Sequence, residues 1–565
     1  METEDEWPPA RQTLTLPRPA RATPLEPSGP PPARSARRTM IAAAVAALLT
    51  AGALVILPQL GGGAGDASAP APGPAARALT AVGAGAPAAA GDLTALIADR
   101  RAWVRGHPAD DAAWAVLGAA YLGRGLRGAD SSYYPRAEWA LRRSLAVRPA
   151  ARGNAEAQLG LAALANARHD YRGAHALAEA VRRKEPKRWT VYPALIDAYT
   201  GLGDLKGASG AAEQLLDLRG GSVALAEQGA VYRERGWRED AAAALAEAAG
   251  YATTPVQKAD LLRQLGDLAW DRGEPAEALA QYGAALRTDS GAHAALAGRA
   301  RAEHALGRTA AARRDWAAAV AAQPRPEYLL ELGELDESLG LVADARAQYA
   351  RLRERAAADD GHGVGDALVL GRYEADHGAP DAAVARLRAE WGRAPSAVVG
   401  DALAWALFRD GEPEEALAFA KKAAEKGARS AVASYHRGAI EKELGQAGPA
   451  RRDLDEALRT NPYFSPLLVA KAREALEALG DPPEGGPKDM YGSTADTGSG
   501  SGAGSGGAPS GSGARPGSGS GSQRAAGSTG SGTGTGAASE PGAGSGSGSN
   551  PGSGSGSGKP PKRKP

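Results

Sequence analysis

Residues 111–125, DAAWAVLGAAYLGRG, hold the spacing that decides the fold: Trp114, Leu117, Gly118 and Tyr121 recur at helical intervals, with the small residue between bulky ones. A helix of this kind packs closely on a neighbour, because the small residue lets the two backbones approach. Farther on, Ala137 and Leu141 stand four residues apart and Pro149 follows. That is a second helix with its stop, since proline lacks the amide hydrogen a continuing helix needs. The alanine then recurs at Ala174, Ala208, Ala241, Ala278, Ala312, Ala345, Ala383, Ala416 and Ala450. From Ala137 onward the steps are 37, 34, 33, 37, 34, 33, 38, 33 and 34 residues, a period that belongs to stacked helix–turn–helix units.

Alanine is common in this chain, so independent marks carry the register. Five residues before the alanine stands Gly203, Gly236, Gly273, Gly307, Gly340, Gly378, Gly411 or Gly445, with His169 in that place in the second unit. A left-handed residue there ends the first helix of each pair. Four residues after the alanine comes an apolar or aromatic residue such as Leu141, Leu245, Tyr282, Trp316, Tyr349, Leu387 or Leu454. Pro149, Pro186, Pro324, Pro395 and Pro462 stop the second helices. The first helices carry Gly118, Ala162, Gly229, Gly266, Gly333, Gly371, Ala404 and Gly438 where they approach the second. Residues 92–105 and 466–479 read as helices that cap the first and last units, which a stack of such pairs requires.

With these marks in register, residues 92–480 resemble a tetratricopeptide repeat (TPR) protein: an all-α helical solenoid of about ten helix–turn–helix repeats. The stretches DALAWALFRDGEPEEALAFAKKA (401–423) and YHRGAIEKELGQ (435–446) are similar to TPR proteins of actinobacterial type. The resemblance implies a superhelix whose inner face, built from first helices, accepts a peptide segment or helix of a protein partner. It implies no catalytic residues, no cofactor and no metal. Trp270, Trp405, Phe408 and Tyr435 fall at first-helix positions that resemble the family's groove-lining ones, whereas Trp114, Trp316 and Tyr349 fall at core positions. Phe408 lies three residues after Trp405 on one helix face, and Arg372 and Arg409 can hold a partner carboxylate beside the rings. Packing of those rings against the adjacent repeat is the competing reading.

Outside the repeats the composition changes. Residues 1–38 are polar and proline-rich, a disordered arm, and Thr39–Leu57 is a run without a charge. At 1.5 Å per residue, a helix of about 19 residues nearly crosses a hydrocarbon core of roughly 30 Å, so 39–58 is expected to be one transmembrane helix. Arg34, Arg37 and Arg38 precede it and the next basic residue is Arg77, which keeps the N-terminus in the cytoplasm and puts the repeats outside, on a single-pass protein of the cytoplasmic membrane. Secretion after cleavage near Ala67-Ser68-Ala69 is the alternative. Residues 59–91 read as an Ala/Gly/Pro linker, and 481–565 as a disordered Gly/Ser-rich tail whose basic tip is Lys559, Lys562, Arg563 and Lys564.

Charge and composition exclude several functions. A net charge of +1, with no Lys/Arg cluster in the repeats, argues against nucleic acid as a partner, and the chain lacks cysteine, hence disulfides and thiolate chemistry. Gly123-x-Gly125-x-x-Gly128 matches a dinucleotide-binding pattern but follows a helix rather than a strand. The eight histidines are scattered over the chain, and Asp359-Asp360-Gly361-His362-Gly363 reads as a connecting turn, not a cation loop. No small-molecule substrate is indicated. The sequence therefore points to a non-catalytic protein-interaction scaffold on the outer side of the membrane, or alternatively to an accessory subunit that recruits or regulates a membrane transporter or cell-envelope enzyme.

Overall fold

The computed structural model describes residues 71–427 and 429–480. The expected arm over 1–38, the transmembrane helix over 39–58, the first part of the linker and the tail from 481 lie outside the described residues. Among the described residues no helix is long and apolar enough to cross a membrane.

Every regular element described is helical, and the architecture is an all-α, TPR-like solenoid. Helices α1 (Pro74–Gly83) and α2 (Ala90–Gly106) come first. Repeats 1 to 5 follow as α3 (Asp111–Gly128) with α4 (Tyr134–Val147), α5 (Ala155–Ala167) with α6 (Tyr171–Lys184), α7 (Val191–Gly201) with α8 (Leu205–Leu218), α9 (Ser222–Glu234) with α10 (Arg238–Gly250), and α11 (Pro255–Asp271) with α12 (Pro275–Thr288). Repeats 6 to 10 are α13 (Ala294–Ala305) with α14 (Thr309–Ala322), α15 (Pro326–Ser338) with α16 (Val342–Gly361), α17 (Ala367–His377) with α18 (Pro380–Arg393), α19 (Ala397–Arg409) with α20 (Pro413–Glu425), and α21 (Ala431–Glu443) with α22 (Ala447–Thr460). Helix α23 (Val469–Ala478) closes the stack. The core is a chain of adjoining apolar clusters, each shared by consecutive repeats. That is how a solenoid is stabilised, pair by pair.

Local chemistry sets the ends of the helices. Gly203, Gly236, Gly273, Gly307, Gly340, Gly411 and Gly445 all have φ between 69° and 88°, and His169 takes the same conformation at 60°. Gly378 departs from this, with φ −132°, because α17 runs one residue further before turning. Asp110, Asp170 and Asp204 cap the following helices by accepting the amides of Ala113, Gly173 and Gly207. Pro149, Pro186, Pro324, Pro395 and Pro462 each stand two residues past the end of a second helix.

The close approach within each pair is more specific than small against small. A Cβ on Gly118 would come within 2.5 Å of Leu141, one on Gly371 within 2.5 Å of Leu387, and one on Gly438 within 2.9 Å of Leu454. The residue four places after the key alanine thus fills the space that the glycine leaves empty. Trp114, Trp316 and Tyr349 are buried at 7%, 2% and 7% exposure, as their core register requires.

Two expectations are corrected. The stretch 59–91 is not wholly a spacer: within its described part α1 buries Ala78 and Ala81, and Arg77 pairs with Asp92 at 2.6 Å. Its alanines repeat at helical spacing, a pattern hidden by the Ala/Gly/Pro composition. The connection expected at 359–363 is instead the last turn of α16, which continues to Gly361 because no proline stops it. Asp359 is buried there, bonded to Ser131 Oγ and to Arg355 at 2.5 and 2.8 Å.

The Asp359–Ser131 contact joins repeat 7 to repeat 1, and beside it runs a series in which the first-helix end or turn of one repeat touches the exit loop of the repeat five places on. Gln323, leaving repeat 6, donates to the Arg127 carbonyl of repeat 1 at 2.7 Å. In repeat 2, Arg168 donates to His362 O at 3.0 Å, and His169 Nδ1 lies 2.7 Å from Gly365 O, beyond repeat 7. Gly203 of repeat 3 faces Pro395 after repeat 8, and Arg238 of repeat 4 donates to Arg429 O after repeat 9 at 3.0 Å. Repeat 5 completes the series, with Asn461 Nδ2 donating to Trp270 O at 2.7 Å. Consecutive superhelical turns are therefore in contact along this seam.

Candidate interaction site

On the first helices of repeats 5 to 9, the residue directly after the close-packing small residue lines one cavity. In successive repeats it is Asp267, Arg301, Glu334, Arg372 and Trp405. These side chains, with Trp270, Arg409 and the stretch from Tyr463 to Lys471, surround a cavity of about 620 Å³. Most of its charges are already paired: Arg233 with Asp271 at 2.8 Å, Arg301 with Glu331 at 2.5 Å, and His377 with Glu337 at 3.2 Å. Burial pulls the His377 imidazole down, but Glu334 and Glu337 outweigh it and hold the group above its ordinary value. Arg372 is different. It is exposed to the cavity and makes no hydrogen bond or ion pair among the described residues.

The structure gathers four of the six residues expected from the sequence, Trp270, Arg372, Trp405 and Arg409, around this one cavity. Trp405 presents only an edge to it, being 5% exposed. Its Nε1 donates to Asp376 at 3.0 and 3.1 Å, and its ring stacks on His436 with centroids 4.2 Å apart. Arg409 lies 3.5 Å from the same Asp376. Tyr435 and Phe408 stand behind the wall. Tyr435 packs between Trp405 at 5.7 Å and Phe464 at 5.6 Å, and burial pushes its phenol up to about 12. Phe408 is half-buried, 5.3 Å from Trp405. Arg301, Glu334, Asp376 and His377 were not singled out from the sequence. The position after each small residue was the signal that could have found the first two.

Among the described residues no group of three or more His, Asp and Glu is placed to bind a metal ion. Ser131, Asp359 and His362 have the composition of a hydrolytic triad, but Ser131 itself bridges the other two, donating to Asp359 and lying 2.8 Å from His362 Nδ1. A nucleophile needs the histidine between serine and carboxylate, and Ser131 is 4% exposed. The trio fastens two superhelical turns.

No protein-family model matches the sequence, and no curated protein matches it. Solved structures do. A tetratricopeptide repeat protein of Parabacteroides merdae is similar at 20% identity and a TM-score of 0.29, over 45% of this chain and 97% of that one. A thermophilic TPR protein of Thermus thermophilus is similar at 24% identity and 0.28, over 34% and 98%. The APC/C hetero-tetramer Cut9–Hcn1 is similar at 13% identity and 0.37, over 64% and 76%.

Proposed function

We propose that this chain is a non-catalytic scaffold that holds a segment of another protein in the inner cavity, with the repeats displayed on the outer side of the cytoplasmic membrane by Thr39–Leu57. The observation that carries the binding half is Arg372: an exposed guanidinium with no hydrogen bond or ion pair among the described residues, in a cavity whose other charges are mostly satisfied and whose lining includes Trp270 and an edge of Trp405. An exposed planar cation in a cavity lined in part by indoles suits a carboxylate-bearing segment with an apolar anchor. A photo-crosslinking residue in place of Arg372, in the full-length protein in its native membrane, tests this. The expected result is one dominant protein adduct, absent when the crosslinker replaces Gly210 on an outer helix. No adduct from position 372, or the same adducts from both positions, would sink the assignment. The membrane half rests on the uncharged run and the arginines before it. A reporter joined after Gly480 should be active only outside the cytoplasm, and cytoplasmic activity alone would reject that topology.

A further inference from the structure

Between α22 and α23 the chain runs without regular helix from Asn461 to Leu468. This piece leaves repeat 10 yet is held by repeat 5. Asn461 is 3% exposed, and its Nδ2 donates to the Trp270 carbonyl. Pro462 lies against Gly273, where an added Cβ would come within 2.8 Å of Pro462 and 2.9 Å of the Asn461 Cα. Phe464 packs on Tyr435, and residues 463–468 form one wall of the cavity that contains Trp270, Arg372 and Trp405. Tyr463, within this piece, is 38% exposed.

The turn glycines make this hold legible. Gly273 and Gly307 have nearly the same left-handed φ, 71° and 75°. Gly307 has nothing within 4 Å of an added Cβ, whereas Gly273 has the backbone of Asn461. A methyl group at either position strains the turn equally, but only at Gly273 does it push on the neighbouring superhelical turn.

We propose that residues 461–468 are a strap that closes the interaction cavity, and that a partner segment enters by displacing it from repeat 5. This rests on the interaction reading above, and it makes Asn461 and Gly273 the residues that set access. The chain has no cysteine, so a single introduced thiol reports access cleanly. Val432 lines the cavity beside the strap. The test measures the rate at which a polyethylene-glycol maleimide labels Val432→Cys in the full-length chain, alone and combined with Asn461→Ala, Gly273→Ala or Gly307→Ala. Asn461→Ala and Gly273→Ala should each speed labelling at least about tenfold, with Gly307→Ala unchanged. Should Gly273→Ala fail to fold, Asn461→Ala, which removes the bond to Trp270 together with the local one accepted from the Tyr463 amide and puts no side chain at a left-handed turn, still decides. Equal rates in the Asn461→Ala and parent chains would overturn the strap. No partner is needed, so that failure would leave the crosslinking test of the scaffold untouched.

Discussion

Trp405 shows why one residue can belong to both a core and a cavity. Its ring is stacked and nearly enclosed, and its only polar atom is satisfied by Asp376. Trp405→Ala should therefore cost about 3–5 kcal/mol of stability, read as a lower melting temperature, because it removes a buried ring and the hydrogen bond it donates to Asp376. Arg372→Ala, which removes an exposed and unpaired side chain, should change stability by no more than about 0.5 kcal/mol. A large loss on Arg372→Ala would show that the guanidinium is structural. Asp366 gives a pH dependence. Burial first, then the nearby Asp359 and Glu327, push its carboxyl up to about 7, and one of its oxygens has no partner. A raised value in the folded state means stability is highest while the group is protonated and falls as pH rises from about 4 to about 7. Asp366→Asn should melt higher than the parent at pH 8, with the gap shrinking at pH 5. An equal gap at both would disprove the assignment.

At the scale of the helix, glycines that look alike in sequence have opposite roles. Gly210 lies inside α8 with nothing within 4 Å of an added Cβ, whereas Gly333 in α15 has the Tyr349 ring in that space. Gly210→Ala should stabilise by about 0.5–1 kcal/mol through helix propensity alone, and Gly333→Ala should destabilise by about 1–3 kcal/mol through overpacking. Denaturant melts of the two variants should move in opposite directions. If both move together, the packing of α15 on α16 has been misread.

Over the whole solenoid, stability is a sum of neighbour interfaces, so an end piece matters in proportion to what it covers. A chain of residues 71–480 should keep the helical circular dichroism and melting temperature of the full-length protein. A chain beginning at Asp92 should melt lower, because it lacks α1 and the Arg77 partner of Asp92 and uncovers the first apolar cluster. Identical melts for the two shorter chains would show that α1 is not part of the stack.

Periodicity was enough to place the ten repeats, their turn glycines and the core register of Trp114, Trp316 and Tyr349, because each follows from local spacing: helix faces, left-handed turns and proline stops act within a few residues. The same spacing put Trp270, Arg372, Trp405, Phe408, Arg409 and Tyr435 at equivalent positions of stacked first helices, four of which line one cavity while Phe408 and Tyr435 stand behind its wall. It could not tell a helix from a spacer in α1, whose alanines serve either, nor find where α16 ends without a proline. The pairing of the first-helix ends or turns of repeats 1 to 5 with the exit loops five repeats on was decided only in the tertiary structure. Small rotations between successive repeats accumulate into the superhelix and bring Asn461 to Trp270 across 191 residues, and no local spacing encodes that sum.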